Sequence, residues 1–232
     1  MAWRSQSETN EGLISQLQEY GIIKNEMVAN VMKQTDRKLY CRVAYPYVDR
    51  PYSIGYSATI SAPHMHAFAL ENLFDFITPE SKILDVGSGS GFLTACFARL
   101  LKAQAEKAGK DEFSGYVVGI EHHPKLVEFS IGNLNSDDPK FLDDGKVKII
   151  QGDGRLGCEE HGPYDAIHVG AAAVEVPDQL LKQLKKNGRM VIPVGPQGDT
   201  QQMEQFDKTE TGEIKKKTLM SVVYVPLTDL DA

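Results

Sequence analysis

The chain is poor in cysteine and tryptophan, and it lacks any long apolar run. Three cysteines stand in 232 residues (Cys41, Cys96 and Cys158). They are odd in number, far apart and never in a CxxC pair, which excludes a disulfide framework and argues against a zinc knuckle. Such usage leads us to expect a reducing compartment, most simply the cytosol. No segment approaches the roughly 18 apolar residues that a membrane-spanning helix needs. The stretch Met1 to Glu11 is polar, without the apolar core of a signal peptide. Positive charge is also scarce: 25 Lys and Arg face 32 Asp and Glu, a net charge of -7. An acidic chain repels phosphate backbones, so neither nucleic acid nor a membrane is expected as a partner. The longest basic run, Lys215 to Lys217, reads as a solvated strand edge. Internal repeats and low-complexity tracts are absent.

What is present suits one globular domain. Hydrophobic residues make up 41% and charged residues 25%, enough to bury a full core. Asn10 to Arg37 reads as two short helices, with Leu13, Ile14 and Leu17, then Val28, Val31 and Met32, at helical spacing. Tyr40 to Tyr56 has no clean period and reads as an ordered loop. His66 to Ile77 carries an amphipathic helical pattern that ends before Pro79. From Lys82 apolar runs alternate with helical stretches. Strands are expected at Ile83–Val86, Tyr116–Glu121, Val147–Ile150, Ala166–Val169 and Met190–Val194. Helices are expected at Phe92–Glu106, Lys125–Asn135 and Pro177–Leu184, and a surface loop at Ala103–Ser114. That alternation predicts an α/β fold, a doubly wound, mainly parallel sheet covered on both faces. Gln201 to Val225 instead predicts an antiparallel hairpin turning at Lys208–Glu213 and closing one edge. The chain thus divides into an N-terminal helical extension (1–79), an α/β core (80–200) and a C-terminal hairpin and tail (201–232) of a single domain.

The strongest local signal is Leu84-Asp85-Val86-Gly87-Ser88-Gly89-Ser90-Gly91-Phe92. An apolar strand enters three glycines at alternate positions and a helix follows, so backbone can approach a ligand and adopt positive φ. Many nucleotide-binding folds share that pattern. The dinucleotide fingerprint G-x-G-x-x-G is broken, because Phe92 holds the third position. Glu121 closes the next strand, where a carboxylate can accept hydrogen bonds from both ribose hydroxyls. Asp153, in Gly152-Asp153-Gly154-Arg155, follows the third strand, on the adenine side. Asp85, Glu121 and Asp153 at the ends of adjacent strands suit a positively charged sulfonium cofactor better than a pyrophosphate. These residues point to a Rossmann-like, S-adenosylmethionine-dependent methyltransferase. After the fourth strand, His168-Val169-Gly170-Ala171-Ala172-Ala173 lacks the Asn/Asp, proline and aromatic motif of base-amine methylation. Its small side chains leave room for a chain to pass close to the methyl group and offer no platform for a flipped base.

Beside Thr59-Ile60-Ser61-Ala62-Pro63-His64-Met65-His66, these residues resemble the protein-L-isoaspartate (D-aspartate) O-methyltransferase family. The resemblance covers nearly the whole chain: Met1-Ala2-Trp3, Thr35-Asp36-Arg37, the TISAPHMHA block, DVGSGSG, GDGR, YDAIHVGAAA, Pro193-Val194-Gly195-Pro196 and Tyr224-Val225-Pro226-Leu227-Thr228-Asp229. Departures are a slightly lengthened loop at Arg42–Tyr47, a longer Ala103–Ser114 and Val174 in place of a common proline. The resemblance implies methylation of the free α-carboxylate of L-isoaspartyl, and D-aspartyl, residues in aged proteins and peptides. The ester is a better leaving group, so a succinimide re-forms and can reopen to normal Asp. The resemblance makes Ser61 the active-site residue. Cofactor contacts are implied for Ala58, Thr59, Ile60, His66, Asp85, Gly87, Ser88, Gly89, Ser90, Glu121, His122, Asp153, Gly154 and Thr228. S-Adenosyl-L-homocysteine would be the second product, and a monomer suffices.

A carboxylate acceptor is ionised near neutral pH, so no general base is required. Anion attack on a sulfonium destroys charge, which a dry site favours, and alignment can supply about 7–11 kcal/mol. Ser61 suits an orienting donor; the alternative is a serine capping the helix that starts near His64. Thr228 places the tail over the site, unless it merely packs an edge strand. His64 with His66, and His122 with His123, lack a carboxylate or cysteine at ligand spacing, so no metal is expected. His168 reads as a satisfied core histidine. Two rival functions stay open: a methyltransferase of the same fold acting on RNA, DNA or a metabolite, and a binding module without its cofactor.

Overall fold

A computed structural model describes residues 5–228. Met1-Ala2-Trp3 and Asp229, part of the family resemblance, lie outside the described residues. The chain opens with α1 (Asn10–Glu19) and α2 (Glu26–Gln34), each started by a side chain that satisfies a free N–H. Thr9 accepts from Gly12 N–H and Asn25 from Met27 N–H. A hairpin, β1 (Tyr52–Gly55) and β2 (Ala58–Ile60), leads into α3 (Pro63–Leu73). Then come β3 (Lys82–Val86), α4 (Phe92–Lys107), β4 (Tyr116–Glu121), α5 (Pro124–Asp137), α6 (Lys140–Asp143) and β5 (Val147–Gln151). β6 (Tyr164–Val169), α7 (Asp178–Gln183), β7 (Leu184–Val194), β8 (Gln201–Lys208) and β9 (Ile214–Val222) complete the order.

The large sheet runs β5-β4-β3-β6-β7-β8-β9, parallel through β7 and antiparallel across the last two pairs. Strand order reverses between β3 and β6, and open α/β sheets bind ligands outside the carboxyl ends of strands at such a switch point. Period-2 alternation splits the core. Ile83, Val117, Ala166 and Val191 face a layer containing α1 to α5, while Leu84, Val118, Ile167 and Met190 face the other side with Leu180 of α7. Both faces are covered as expected, but the second carries little helix. There Tyr164, fully buried, sits beside short 3-10 turns and donates to the Cys158 carbonyl at 2.6 Å.

Several expected boundaries move. Tyr40–Tyr56 is not wholly loop, because its last part forms β1 against β2. The hairpin loop is Tyr56-Ser57, both at positive φ (52° and 57°), as a two-residue type I′ turn demands. No Asn-Gly or Asp-Gly announces that turn, so the sequence pattern hides it. α3 begins at Pro63 instead of His66, since proline suits the first helical position, where its missing N–H costs nothing. α4 runs to Lys107, so much of the expected Ala103–Ser114 loop is helix; Leu100, Leu101 and Ala105 keep it packed. β9, with Lys215 to Lys217, is the outer strand, where Lys216 Nζ lies 2.6 Å from Glu204. No helix among the described residues is long and apolar enough to cross a membrane.

Candidate active site

The loop after β3 is built by its glycines. Gly87, Gly89 and Gly91 all have positive φ (71°, 51° and 82°), which explains why glycine recurs at every second position. Gly87 and Ser88 N–H both donate to the Ile120 carbonyl, and Gly170 N–H donates to that of Val86. A Cβ on Gly170 would lie 3.2 Å from the Gly87 carbonyl, so the two loops approach too closely for a side chain there. A cavity of about 500 Å³ opens at this switch point, a size that suits a nucleoside-bearing ligand.

Glu121 stands at its centre. One carboxylate oxygen accepts from Gly89 N–H at 3.0 Å and the other from His123 N–H at 3.1 Å. A carboxylate has about four acceptor sites, so Glu121 keeps capacity for further donors in the cavity it lines. Ala58, Thr59, Gly87, Gly89, His122, Gly154 and Thr228 line the same cavity. A smaller polar recess of about 30 Å³ adjoins it, bounded by Ile60, Ser61, His66, Asp85, Ser88 and Ser90 among others. Every implied cofactor residue except Asp153 therefore borders one of these two spaces.

The three carboxylates stand at or just past the ends of β3, β4 and β5, as expected, but their partners differ. Asp85 is spent internally, accepting from Thr94 Oγ1 at 2.6 Å and lying 2.8 Å from His168 Nδ1. The pairing fits the expected satisfied core histidine, although His168 also borders the recess. Asp153 pairs with Arg155, whose Nε and Nη2 lie 2.7–3.1 Å from its oxygens. That pairing holds its carboxyl below the usual range. Among the described residues, only Glu121 presents a carboxylate to the large cavity.

His66 is buried beneath the Phe92 ring, with centroids 4.8 Å apart. Burial first, then the Arg37 charge and the histidines His168 and His64, drives its pKa well below 6.5 and keeps it neutral. Its Nδ1 and the Ser88 hydroxyl are buried without a partner among the described residues. Both border the recess.

Ser61 borders the recess on one side and, on the other, an apolar groove of about 930 Å³. Tyr20, Met65, Phe68, Val223 and Tyr224 line the groove. The Tyr224 phenol is pushed up to about 12 by burial, opposed by the adjacent Ser61 hydroxyl, so it remains a neutral donor. Ser61 does not cap α3: the N-cap is Ala62, which supplies no side-chain hydrogen bond.

The small residues after β6 pair with the C-terminal tail, whose return over the site is expected from Thr228. Ala172 N–H donates to the Val225 carbonyl at 2.8 Å and Leu227 N–H to the Ala172 carbonyl at 2.7 Å. The protein's own tail thus fills that space and carries Thr228 to the cavity. Sequence reasoning missed Tyr56 and His123, whose stacked rings (4.1 Å) border the large cavity, together with Ser57, Gln197 and Leu227. The turn that carries Tyr56 has no Asn-Gly or Asp-Gly to announce it, so no sequence signal was available there. Each histidine pair has one carboxylate nearby in space, Asp49 at 2.9 Å from His64 and Glu121 at 3.9 Å from His122. Among the described residues, no group of three or more His, Cys, Asp or Glu is placed to hold a metal ion.

Known proteins give the same picture. The family profile for protein-L-isoaspartate(D-aspartate) O-methyltransferase matches residues 8–232. A protein-L-isoaspartate O-methyltransferase of Triticum aestivum is 47% identical over 97% of this chain and 94% of its own. One from Caenorhabditis elegans is 46% identical over 98% and 96%. Among solved structures, a beta-aspartate methyltransferase from Plasmodium falciparum, crystallised in complex with S-adenosyl-L-homocysteine, superposes with a TM-score of 0.85. It is 38% identical, covering 96% of this chain and 99% of that one. With the family profile spanning almost the whole chain and relatives near half identity, this chain belongs to the protein-L-isoaspartate(D-aspartate) O-methyltransferase family.

Proposed function

We propose that this chain is a protein-repair methyltransferase that moves the methyl group of S-adenosylmethionine to the free α-carboxylate of isoaspartyl residues. The observation that carries the reading is the position of Ser61, at the partition between the cofactor-sized cavity system and the apolar groove. A peptide in the groove would bring its carboxylate to Ser61 from one side, and the reacting methyl would arrive from the other. When bound, the cofactor supplies an electrophilic methyl on a sulfonium; an O–CH3 bond forms as the S–CH3 bond breaks.

The chain's own residues then have three tasks. Glu121 holds the nucleoside end, with Ala58, Thr59, Gly87, Gly89, Gly154 and Thr228 as the walls. His66, held neutral, adds no positive charge to repel a sulfonium. Ser61, beside the neutral Tyr224 phenol, orients the carboxylate without protonating it. No base is needed, since the acceptor is already an anion. Burial by the tail excludes water, and a dry site favours a step in which charge disappears.

The methyl ester then allows the neighbouring backbone amide to close a succinimide with loss of methanol, and hydrolysis returns part of it to normal aspartate. D-Aspartyl sites, whose free carboxylate is that of the side chain, are read as a second class of acceptor. We read 1–232 as one methyltransferase domain and propose that it acts as a cytosolic monomer. Nucleic acid and membrane have no role in this reading. Incubating an isoaspartyl peptide with protein and cofactor should yield the normal aspartyl isomer, separable by chromatography. Isomer ratios that stay constant while methyl is consumed would exclude repair.

A further inference from the structure

Ser61 precedes a helix that lacks a cap of its own. Ala62 offers no side-chain acceptor to α3, and Pro63 has no N–H to satisfy. The first amide that needs a partner is therefore that of His64. Its partner comes from 15 residues upstream: Asp49 Oδ1 accepts from His64 N–H at 2.9 Å. The same oxygen lies 2.9 Å from the His64 ring Nδ1. One carboxylate oxygen thus holds both backbone and side chain of the residue three places after Ser61.

The Asp49 side chain is fully buried, at 0% exposure, and a buried carboxylate persists only beside a compensating charge. Arg37, itself 1% exposed, is the nearby positive charge, but no hydrogen bond or ion pair joins the two among the described residues: Asp49 Oδ2 and Arg37 Nε and Nη1 are buried without partners. Arg37 donates through Nη2 to the Arg50 carbonyl at 3.3 Å. The segment is fixed at its other end too, where Asp49 N–H donates to the Ser5 carbonyl at 2.9 Å. Two buried charges are retained at a place where apolar packing would cost less, and the element that Asp49 fixes is the bend carrying Ser61.

We propose that Asp49 is a positioning residue for methyl transfer, acting as a remote cap that clamps the Ser61–His64 bend through His64 and is anchored by its own N–H on the Ser5 carbonyl. It touches neither cofactor cavity nor recess. Its effect should therefore fall on alignment of the acceptor and leave cofactor binding alone. The inference rests on Ser61 orienting the acceptor carboxylate.

The test is methyl transfer to an isoaspartyl peptide, with S-adenosylhomocysteine affinity measured by calorimetry on the same preparations. Asp49→Ala is expected to lower kcat at least tenfold while the Kd for S-adenosylhomocysteine stays within twofold. Asp49→Asn, which keeps an acceptor for His64 N–H, should recover most of kcat. Should Asp49→Ala fail to fold because Arg37 is left as an uncompensated charge, the double variant Arg37→Met/Asp49→Ala removes both charges and is expected to show the same loss of kcat. A kcat within twofold of wild type in either Ala-bearing protein overturns the proposal. So does an equal loss in the Asn and Ala variants that tracks a loss of cofactor affinity, since that marks a general structural role. Absence of transfer by the wild-type protein would instead defeat the functional reading itself, which separates the two failures.

Discussion

Replacing Glu121 with alanine removes the one carboxylate that the described residues present to the large cavity. Two contacts within the protein disappear, from Gly89 N–H at 3.0 Å and His123 N–H at 3.1 Å. The acceptor sites left for ribose hydroxyls go with them. Hydrogen bonds to a charged group contribute about 1.5–3 kcal/mol each. Contacts that share one carboxylate are not additive, so a total of about 2–4 kcal/mol is the reasonable range. That corresponds to a Kd for S-adenosylhomocysteine raised about 30- to 1000-fold. Calorimetric titration reads it directly, with thermal unfolding as a control for the released Gly89 amide. A Kd within threefold of wild type would show that Glu121 only braces the glycine loop and that the ribose is held elsewhere.

Other outcomes follow from the same structure. Ser61→Ala should lower kcat about 10- to 150-fold, the worth of one donor to a charged acceptor, with cofactor Kd unchanged in calorimetry. A Cβ on Gly154 would lie 2.5 Å from Val86 and 3.3 Å from Leu227. Gly154→Ala should therefore cost about 1–3 kcal/mol of stability and loosen the tail strap, seen as a lower melting temperature and weaker cofactor binding. Asp85→Ala leaves the Thr94 hydroxyl and His168 ring without their buried partner. At about 1–3 kcal/mol per stranded group, chemical denaturation should show a loss of a few kcal/mol. His66 has a folded pKa well below its unfolded 6.5. Above that pH both states are neutral and it adds no pH dependence. Below it the unfolded state alone takes the proton, so stability falls as pH drops, by about 1.4 kcal/mol per unit. His66→Asn should flatten that part of the melting-temperature profile between pH 6.5 and 5.

The parallel core was legible because buried strands are continuous apolar runs, as at Ile83–Val86 and Tyr116–Glu121, and their burial leaves little choice of register. β1 was hidden because its turn puts Tyr56 and Ser57, not glycine, at positive φ. The glycine loop and Glu121 could be placed from strand ends alone. The directions in which Asp85 and Asp153 point could not, since each depends on a partner: His168, 83 residues away, for one and Arg155 for the other. Similarly, the alanines after β6 signalled a close-passing chain without saying that it is the protein's own tail. The capping alternative for Ser61 fell to Asp49, which no local motif could have announced.

The central claim is tested most directly by radiolabelled methyl transfer to two peptides of one sequence, one with isoaspartate and one with normal aspartate, alongside RNA. The account predicts saturable, base-labile label in the isoaspartyl peptide and background label in the other two acceptors. Equal labelling of both peptides, or label in RNA alone, would contradict it.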